Sequence, residues 1–168
     1  MASLSGGAMD YRSLEEITNS GLSDCFYKIS YEVKKSNQLT LKYGTGFFFK
    51  IPSKNYKFFL TNNKVLDKDF IDKEKKLVLY NKNEKKVEIN LGINRFKMTN
   101  EKFNFTLIEI LEEDSVTNYL EVDECFSSKD YKDEEIFTFD FPSGKNLEYS
   151  YGNVKEKITK KYYIPVVF

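Results

Sequence analysis

The sequence lacks histidine altogether, and it has no tryptophan among its 168 residues. Histidine is the side chain that accepts and returns a proton near neutral pH in Ser-His-Asp and Cys-His enzymes. The chain alone therefore cannot assemble either mechanism. Without tryptophan, its apolar interior must be built mainly from the 15 phenylalanines, the 12 tyrosines and the aliphatic residues.

Cysteine and excess charge are scarce as well. Cys25 and Cys125 are the only cysteines, and no CxxC motif is present. Two cysteines make neither a disulfide framework nor a zinc site, and their aromatic neighbours favour buried thiols.

Lysine plus arginine and aspartate plus glutamate both total 26, so the formal net charge is zero. This balance argues against a nucleic-acid partner, because phosphates attract an excess of positive charge.

Long hydrophobic runs are also missing. No apolar stretch approaches the length of a membrane helix, and the N-terminus has no signal-peptide core. We therefore expect no membrane association and a cytoplasmic location. Residues 1–10 are small and polar, and we expect a disordered arm or a tag remnant there.

A cluster of carboxylates lies between residues 111 and 135, and a calcium-binding loop is one hypothesis for it. It contains Glu112, Glu113, Asp114, Glu121, Asp123 and Glu124. The D-x-D-x-D-G spacing of a calcium loop is missing, and Tyr119 and Val122 interrupt the carboxylates. We therefore predict an exposed connection without a metal, and no cofactor anywhere in the chain.

The remaining pattern predicts one short helix followed by about ten short strands. The helix is predicted within residues 11–22, with Ser13 as a candidate N-cap and Gly21 as its stop. No second helix is predicted. Apolar and polar residues then alternate in "CFYKISYEVKK", "YKFFLT", "KLVLY", "KVEINL" and "FNFTLIEI". This period predicts an all-β fold without choosing between a sandwich and a barrel.

Four sequence blocks occur in a particular order: "GTGFFFKI", "FFLTNNKVL", "FNFTLIEI" and "FPSGKNLEYSYGNV". In this order and spacing they resemble the trypsin-like serine peptidase family, whose fold is a double β-barrel. The resemblance covers Cys25 to Phe168. It implies a first β-barrel over residues 23–110, an inter-barrel connection over 111–134 and an incomplete second barrel over 135–168.

The first two blocks also have a physical interpretation. Gly44 and Gly46 are expected where a strand passes close to a neighbour that leaves no room for a side chain. The run Phe47–Phe49 is then expected to fill the first barrel. The "LTNN" segment is expected to end a core strand and to turn toward the groove between the barrels.

The resemblance places the family's catalytic positions on this chain. The general base of the family follows "TNN", where this chain has Lys64, and the supporting aspartate corresponds to Asn104. A lysine is protonated at pH 7 unless burial removes its charge, and an asparagine does not support an imidazole. The nucleophile turn is expected beyond Phe168. Ser143 matches an earlier hairpin, and we assign it a turn role.

Because none of the three catalytic positions is kept, the resemblance implies an inactive protease-like domain, a pseudoprotease. We predict that it binds a protein or peptide through the inter-barrel groove or an open β edge, and that a complementing chain or a second copy pairs with the C-terminal β edge. The candidate binding residues are Lys64, Asn104, Tyr149 and Tyr151. One alternative stays open: the chain is part of a split or truncated serine protease that another chain or further C-terminal sequence completes.

Overall fold

The computed structural model describes residues 21–35, 38–92, 94–124 and 131–155. Within these ranges the molecule is mostly β, with a curled half-barrel sheet and one short α-helix, α1 (Lys68–Lys73). The all-β class is therefore confirmed. The strands are β1 (Phe26–Lys35), β2 (Gln38–Ile51), β3 (Tyr56–Thr61), β4 (Lys76–Tyr80), β5 (Lys86–Asn90), β6 (Lys97–Asn100), β7 (Phe105–Glu109), β8 (Leu120–Glu121), β9 (Glu135–Asp140) and β10 (Glu148–Asn153).

The large sheet has the strand order β5-β4-β1-β2-β3-β7-β6, and all neighbours along it are antiparallel. Strand β8 pairs in parallel with β2 at Phe49 and Lys50. Strand β2 is long enough to change partners along its length. Its residues 38–47 pair with β1, and its residues 46–51 pair with β3. The hairpin β9–β10 forms a separate two-stranded sheet.

The large sheet buries apolar side chains on both of its faces. One face holds the main core, whose fully buried members include Ile29, Phe48, Phe59, Ile89 and Ile108. The other face packs against Phe139 and Phe141 of the β9–β10 hairpin and its turn. A domain of this kind needs two packed layers around its core, and the hairpin provides the second layer on that face.

The expectation that the whole run Phe47–Phe49 fills one barrel is wrong. Phe48 lies in the main core, whereas Phe47 and Phe49 pack on the opposite face with the hairpin. The reason is the period of two in a β-strand, which sends successive side chains to opposite faces. The sheet tolerates three consecutive phenylalanines because both of its faces are covered here.

The close approaches predicted for the two glycines are confirmed. A Cβ atom on Gly44 would lie 2.4 Å from a methyl group of Val65, and one on Gly46 would lie 2.2 Å from Cζ of Phe59. Real Cβ atoms do not approach other carbons so closely. Both positions therefore require glycine because of space.

Two strands were predicted with their observed bounds, and one helix was missed. The segments "YKFFLT" and "KLVLY" are β3 and β4. The prediction of no second helix is wrong, since α1 forms after Asp67, whose carboxylate accepts the backbone N–H of Phe70 at 2.9 Å. Most of the helix predicted over residues 11–22, and the strand end predicted at Pro165, lie outside the described residues. Within the described ranges, no helix is both long and apolar enough to cross a membrane.

The open side of the curled sheet, between its edge strands β5 and β6, is bridged by Arg95. Its guanidinium donates hydrogen bonds to the carbonyl oxygens of Asn90 and Glu109, next to the ends of β5 and β7. The same group forms two hydrogen bonds with Asp114, at 2.6 and 2.9 Å. Both side chains of this pair are at most 3% exposed.

The prediction that the acidic cluster is wholly exposed is therefore wrong for Asp114. Other carboxylates of the cluster have partners elsewhere: Glu121 pairs with Lys50 at 2.7 Å, and Glu124 accepts the backbone N–H of Ser53 at 2.9 Å. Asp114 is the member of the cluster whose side chain is buried. Burial of an unpaired carboxylate is costly, and Arg95 provides Asp114 with a buried cation as its partner.

Candidate functional site

The turn that follows β3 carries Lys64, and the sheet behind the turn holds it in place. Tyr31 on β1 donates a hydrogen bond through its hydroxyl to the carbonyl oxygen of Val65. Thr106 on β7 does the same to the carbonyl oxygen of Leu66. Because these backbone acceptors are satisfied by side chains of the sheet, the turn has a defined position on it.

Lys64 and Asn104, the two positions that the resemblance predicts to correspond to catalytic residues, are in contact. The backbone N–H of Lys64 donates a hydrogen bond of 3.3 Å to Oδ1 of Asn104. Asn104 has a φ angle of 52°, in the left-handed region that asparagine tolerates better than most residues. Both side chains are exposed. The amide of Asn104 therefore positions the Lys64 turn, and the lysine side chain projects at the surface.

An ion pair lies behind this turn. Lys42 on β2 contacts Asp67 at 3.2 Å, and its ammonium also donates to the carbonyl oxygen of Lys64 at 3.5 Å. Burial alone raises the pKa of Asp67, but the hydrogen bonds from the Phe70 N–H and from Lys42 outweigh it, so the pKa lies below its ordinary value. Asp67 is consequently ionised at neutral pH and is not a proton donor there.

A groove of about 250 Å³ lies beside the turn. Its walls come from β2, from Asn62 and Val65 of the turn, and from Phe141–Ser143 at the end of β9. Ser143 lies in a short 3-10 turn with a φ angle of 53°, which agrees with its predicted turn role. The serine is exposed and lines this groove.

Thr45, the middle residue of the "GTG" block, joins the two sheets at the base of the groove. Its hydroxyl donates a hydrogen bond to the Asp140 carboxylate and accepts the backbone N–H of Phe141 at 2.8 Å. Its carbonyl oxygen accepts the hydroxyl of Thr61 at 2.7 Å. The threonine therefore fixes the end of β9 against β2.

The two predicted tyrosines lie apart from this groove. Tyr149 and Tyr151 are on β10, directly opposite Phe139 and Phe137 of β9. Tyr149 packs against the apolar cluster between the hairpin and the large sheet, and neither tyrosine is among the residues that line the groove. The structure thus brings Lys64 and Asn104 together and leaves the tyrosines on the hairpin.

One part of β2 has a free edge that the sequence did not reveal. Its residues 38–45 pair with β1 on one side, whereas its pairing with β3 on the other side begins only at Gly46. Within the part of the chain that the structure describes, no strand pairs with the second edge over residues 38–45. Such an edge presents backbone donors and acceptors that no other strand pairs, and of these the carbonyl oxygen of Thr45 already accepts the Thr61 hydroxyl.

The same part of β2 exposes large apolar side chains. Leu39 is 69% exposed, Leu41 is 52% exposed and Tyr43 is 42% exposed, and their alternate positions place them on one face of the strand. We call these three residues the apolar stripe. The stripe ends at the groove, because Tyr43 also lines it. The ring of Tyr43 lies against Gly144 of the turn that carries Ser143.

Cys25 is not available as a nucleophile, because its thiol is buried. Cys25 is 3% exposed, and burial, with a smaller contribution from the charge of Asp24, raises the pKa of its thiol to about 12. The reactive form of cysteine is the thiolate, which this environment suppresses at neutral pH. The predicted burial is confirmed for Cys25, and Cys125 lies outside the described residues.

The role of Asn104 can be tested through protein stability. We expect Asn104→Ala to lower the free energy of unfolding by about 1–2 kcal/mol, because alanine removes the acceptor for Lys64 and is disfavoured in the left-handed region. Asn104→Asp keeps an acceptor at that position, and we expect a change within about 0.5 kcal/mol. Urea denaturation measures both. Asn104→Gly is the control that removes the acceptor without the backbone strain. An aspartate variant as unstable as the alanine variant would contradict this role.

A scan against protein-family models and a search of curated proteins found no match to this chain. Its function is therefore inferred from its own residues and their geometry.

Proposed function

We propose that this chain is a catalytically inactive protease-like domain that binds an extended peptide segment of a partner protein. The free edge of β2 over residues 38–45, together with the apolar stripe, is the observation that carries this proposal. An extended peptide adds to such an edge through backbone hydrogen bonds, and its alternate side chains contact the stripe. The groove beside Lys64 receives one end of this peptide.

The chemistry of the edge favours a particular kind of peptide. Leu39, Leu41 and Tyr43 recur at every second residue, so they match a peptide with apolar residues at every second position. Lys64 is exposed next to the groove and forms no ion pair among the described residues. Its charge favours a peptide that carries a carboxylate close to its apolar residues.

The same residues account for the lack of catalysis in this proposal. A lysine acts as a base only when burial favours its neutral form, and Lys64 is exposed. The side-chain oxygen of Asn104 accepts a hydrogen bond from the backbone N–H of Lys64 in the turn. Ser143 lines the groove, and in the described part of the chain no hydrogen bond joins it to a basic side chain. The alternative of a split or truncated peptidase requires another chain or further C-terminal sequence to supply both the base and the nucleophile.

The proposal also includes the finer architecture. Strands β1–β7 of the large sheet correspond to the first barrel of residues 23–110, β8 belongs to the inter-barrel connection, and the β9–β10 hairpin corresponds to part of a second barrel. The hairpin has its own pairing and packs across an apolar cluster, which supports this assignment. An experimental structure of the full chain with any completing partner tests it.

Binding is tested with a displayed library of random decapeptides and the full chain. We expect enrichment of peptides with alternating apolar residues. The double variant Leu39→Ser/Leu41→Ser should weaken the selected peptides by at least about tenfold, because each buried leucine contributes about 1.5 kcal/mol or more. Both leucines are exposed in the free protein, so the variant should fold normally.

The matched control is Met98→Ser, which removes another exposed apolar side chain, from strand β6. It should change peptide affinity by less than about twofold. A library that shows no enrichment, or selected peptides that bind the double variant and the Met98 variant equally well, would refute binding at the β2 edge.

The absence of catalysis is tested separately with a fluorophosphonate probe and a fluorogenic peptide library. We expect no labelled serine and no cleavage, since activation of a serine requires an adjacent base. Ser143→Ala is the diagnostic variant. Stoichiometric labelling that disappears in this variant would refute the absence of catalysis and would identify Ser143 as a nucleophile supplied by this chain itself.

A further inference from the structure

A second cavity, of about 250 Å³, lies between the β9–β10 hairpin and the segments that carry Ser23 and Lys82. Phe141 lines both cavities, so the end of β9 separates them. The second cavity has apolar walls from Phe139, Phe141, Leu147 and Tyr149. Its polar rim comes from Ser23, Lys82, Glu84, Lys145 and Asn146. An apolar cavity with a few polar groups at one side is the usual form of a small-ligand site.

The charges around this cavity leave one cation uncompensated. Lys82 pairs with Asp24 at 3.4 Å and donates a hydrogen bond to the buried hydroxyl of Ser23. Glu84 on the rim pairs with Lys28 at 3.0 Å. Lys145 forms no ion pair with any residue that the structure describes.

We propose that this second cavity binds a carboxylate carried by an apolar group. Lys145 provides the uncompensated charge for the carboxylate. The ammonium of Lys82 has three donors and retains at least one beyond those directed to Ser23 and Asp24. The rings of Phe139 and Tyr149 enclose the apolar group. The binding does not depend on the β2 edge, whose residues do not line this cavity.

The size of the cavity limits the ligand. Cavities for drug-sized molecules begin at about 300 Å³, so this cavity holds roughly one aromatic or branched side chain with its carboxylate. Two sources carry this chemistry: a free aromatic or branched acid, and the C-terminal residue of a polypeptide. Both present one negative charge next to an apolar body, which matches the single uncompensated cation.

The test is a titration of the full chain with N-acetylphenylalanine and, separately, with its amide. Binding is monitored through the NMR chemical shifts of the backbone amides of Lys82, Asn146 and Leu147. The acid should bind at least about tenfold more tightly than the amide, because it alone carries a negative charge that pairs with the ammonium of Lys145. Lys145→Glu should weaken the acid by at least about tenfold and leave the amide nearly unchanged.

Lys75→Glu is the matched control, since Lys75 is also exposed and has no ion-pair partner among the described residues. It should change the affinity for the acid by less than about twofold. A decapeptide ending in phenylalanine distinguishes the sources: tighter binding than the free acid identifies a polypeptide C-terminus, and equal binding identifies a small acid. Equal affinity for the acid and the amide, or an unaltered affinity in Lys145→Glu, would overturn the proposal.

Discussion

Replacement of Asp114 by alanine is expected to lower the free energy of unfolding by about 3–5 kcal/mol. The variant leaves the guanidinium of Arg95 charged and almost fully buried, without the carboxylate that now accepts two of its hydrogen bonds. It also removes the acceptor for the backbone N–H of Leu111, which lies 2.8 Å from the Asp114 carboxylate. Urea denaturation monitored by tyrosine fluorescence and circular dichroism measures the loss.

An exposed ion pair provides the control for this prediction. Asp72 pairs with Lys68 four residues away on α1, and both side chains are more than half exposed. Asp72→Ala should change the free energy of unfolding by no more than about 0.5 kcal/mol. Equal losses for the two alanine variants would contradict the role assigned to Arg95 and Asp114.

A double variant separates a missing partner from a missing pair. Arg95→Met/Asp114→Leu replaces both charges with apolar side chains, and removal of a whole buried pair is often far less harmful than removal of one partner. We therefore expect the double variant to be more stable than Asp114→Ala. This outcome would show that the main penalty in the single variant is the unpaired charge of Arg95.

The strands were predictable because alternation is a local property of the sequence. Val87 and Ile89 alternate with polar neighbours on β5, and both are buried as that pattern predicts. Ion pairs between distant residues have no such local signal. Arg95 and Asp114 are 19 positions apart, and Asp114 stands among other acidic residues that suggest a solvated surface. The sequence therefore indicated the strands and not the pair that bridges the open side of their sheet.

Part of the candidate site also has a local signal in the sequence, in the form of short motifs. Lys64 and Asn104 were identified by matching motifs, and the structure places them in contact. The β2 edge was not identified, since the alternation of Leu39 and Leu41 predicts a strand with an apolar face but does not say whether anything covers that face. Whether it is covered depends on where β3 begins to pair, which is a property of the three-dimensional arrangement.

Gly46→Ala is expected to lower the free energy of unfolding by about 2–3 kcal/mol. The added methyl group would lie 2.2 Å from Cζ of Phe59 and 2.8 Å from both Cε atoms of that ring. The ring has no free space to move into, because Phe59 is 0% exposed and packs against Phe48 with their ring centroids 5.0 Å apart. Chemical denaturation measures the loss.

Gly92→Ala is the matched control, since a Cβ atom there meets nothing closer than a side-chain oxygen at 3.4 Å. It should change stability by less than about 1 kcal/mol, because alanine also restricts the unfolded chain. The double variant Gly46→Ala/Phe59→Leu gives the methyl group room, so its loss should be smaller than the sum of the two single losses. Strict additivity, or equal losses for the two glycine variants, would mean that the Phe59 ring is not the reason why position 46 requires glycine. The physical basis for the "GTG" block would then lie in Gly44 and Thr45 alone.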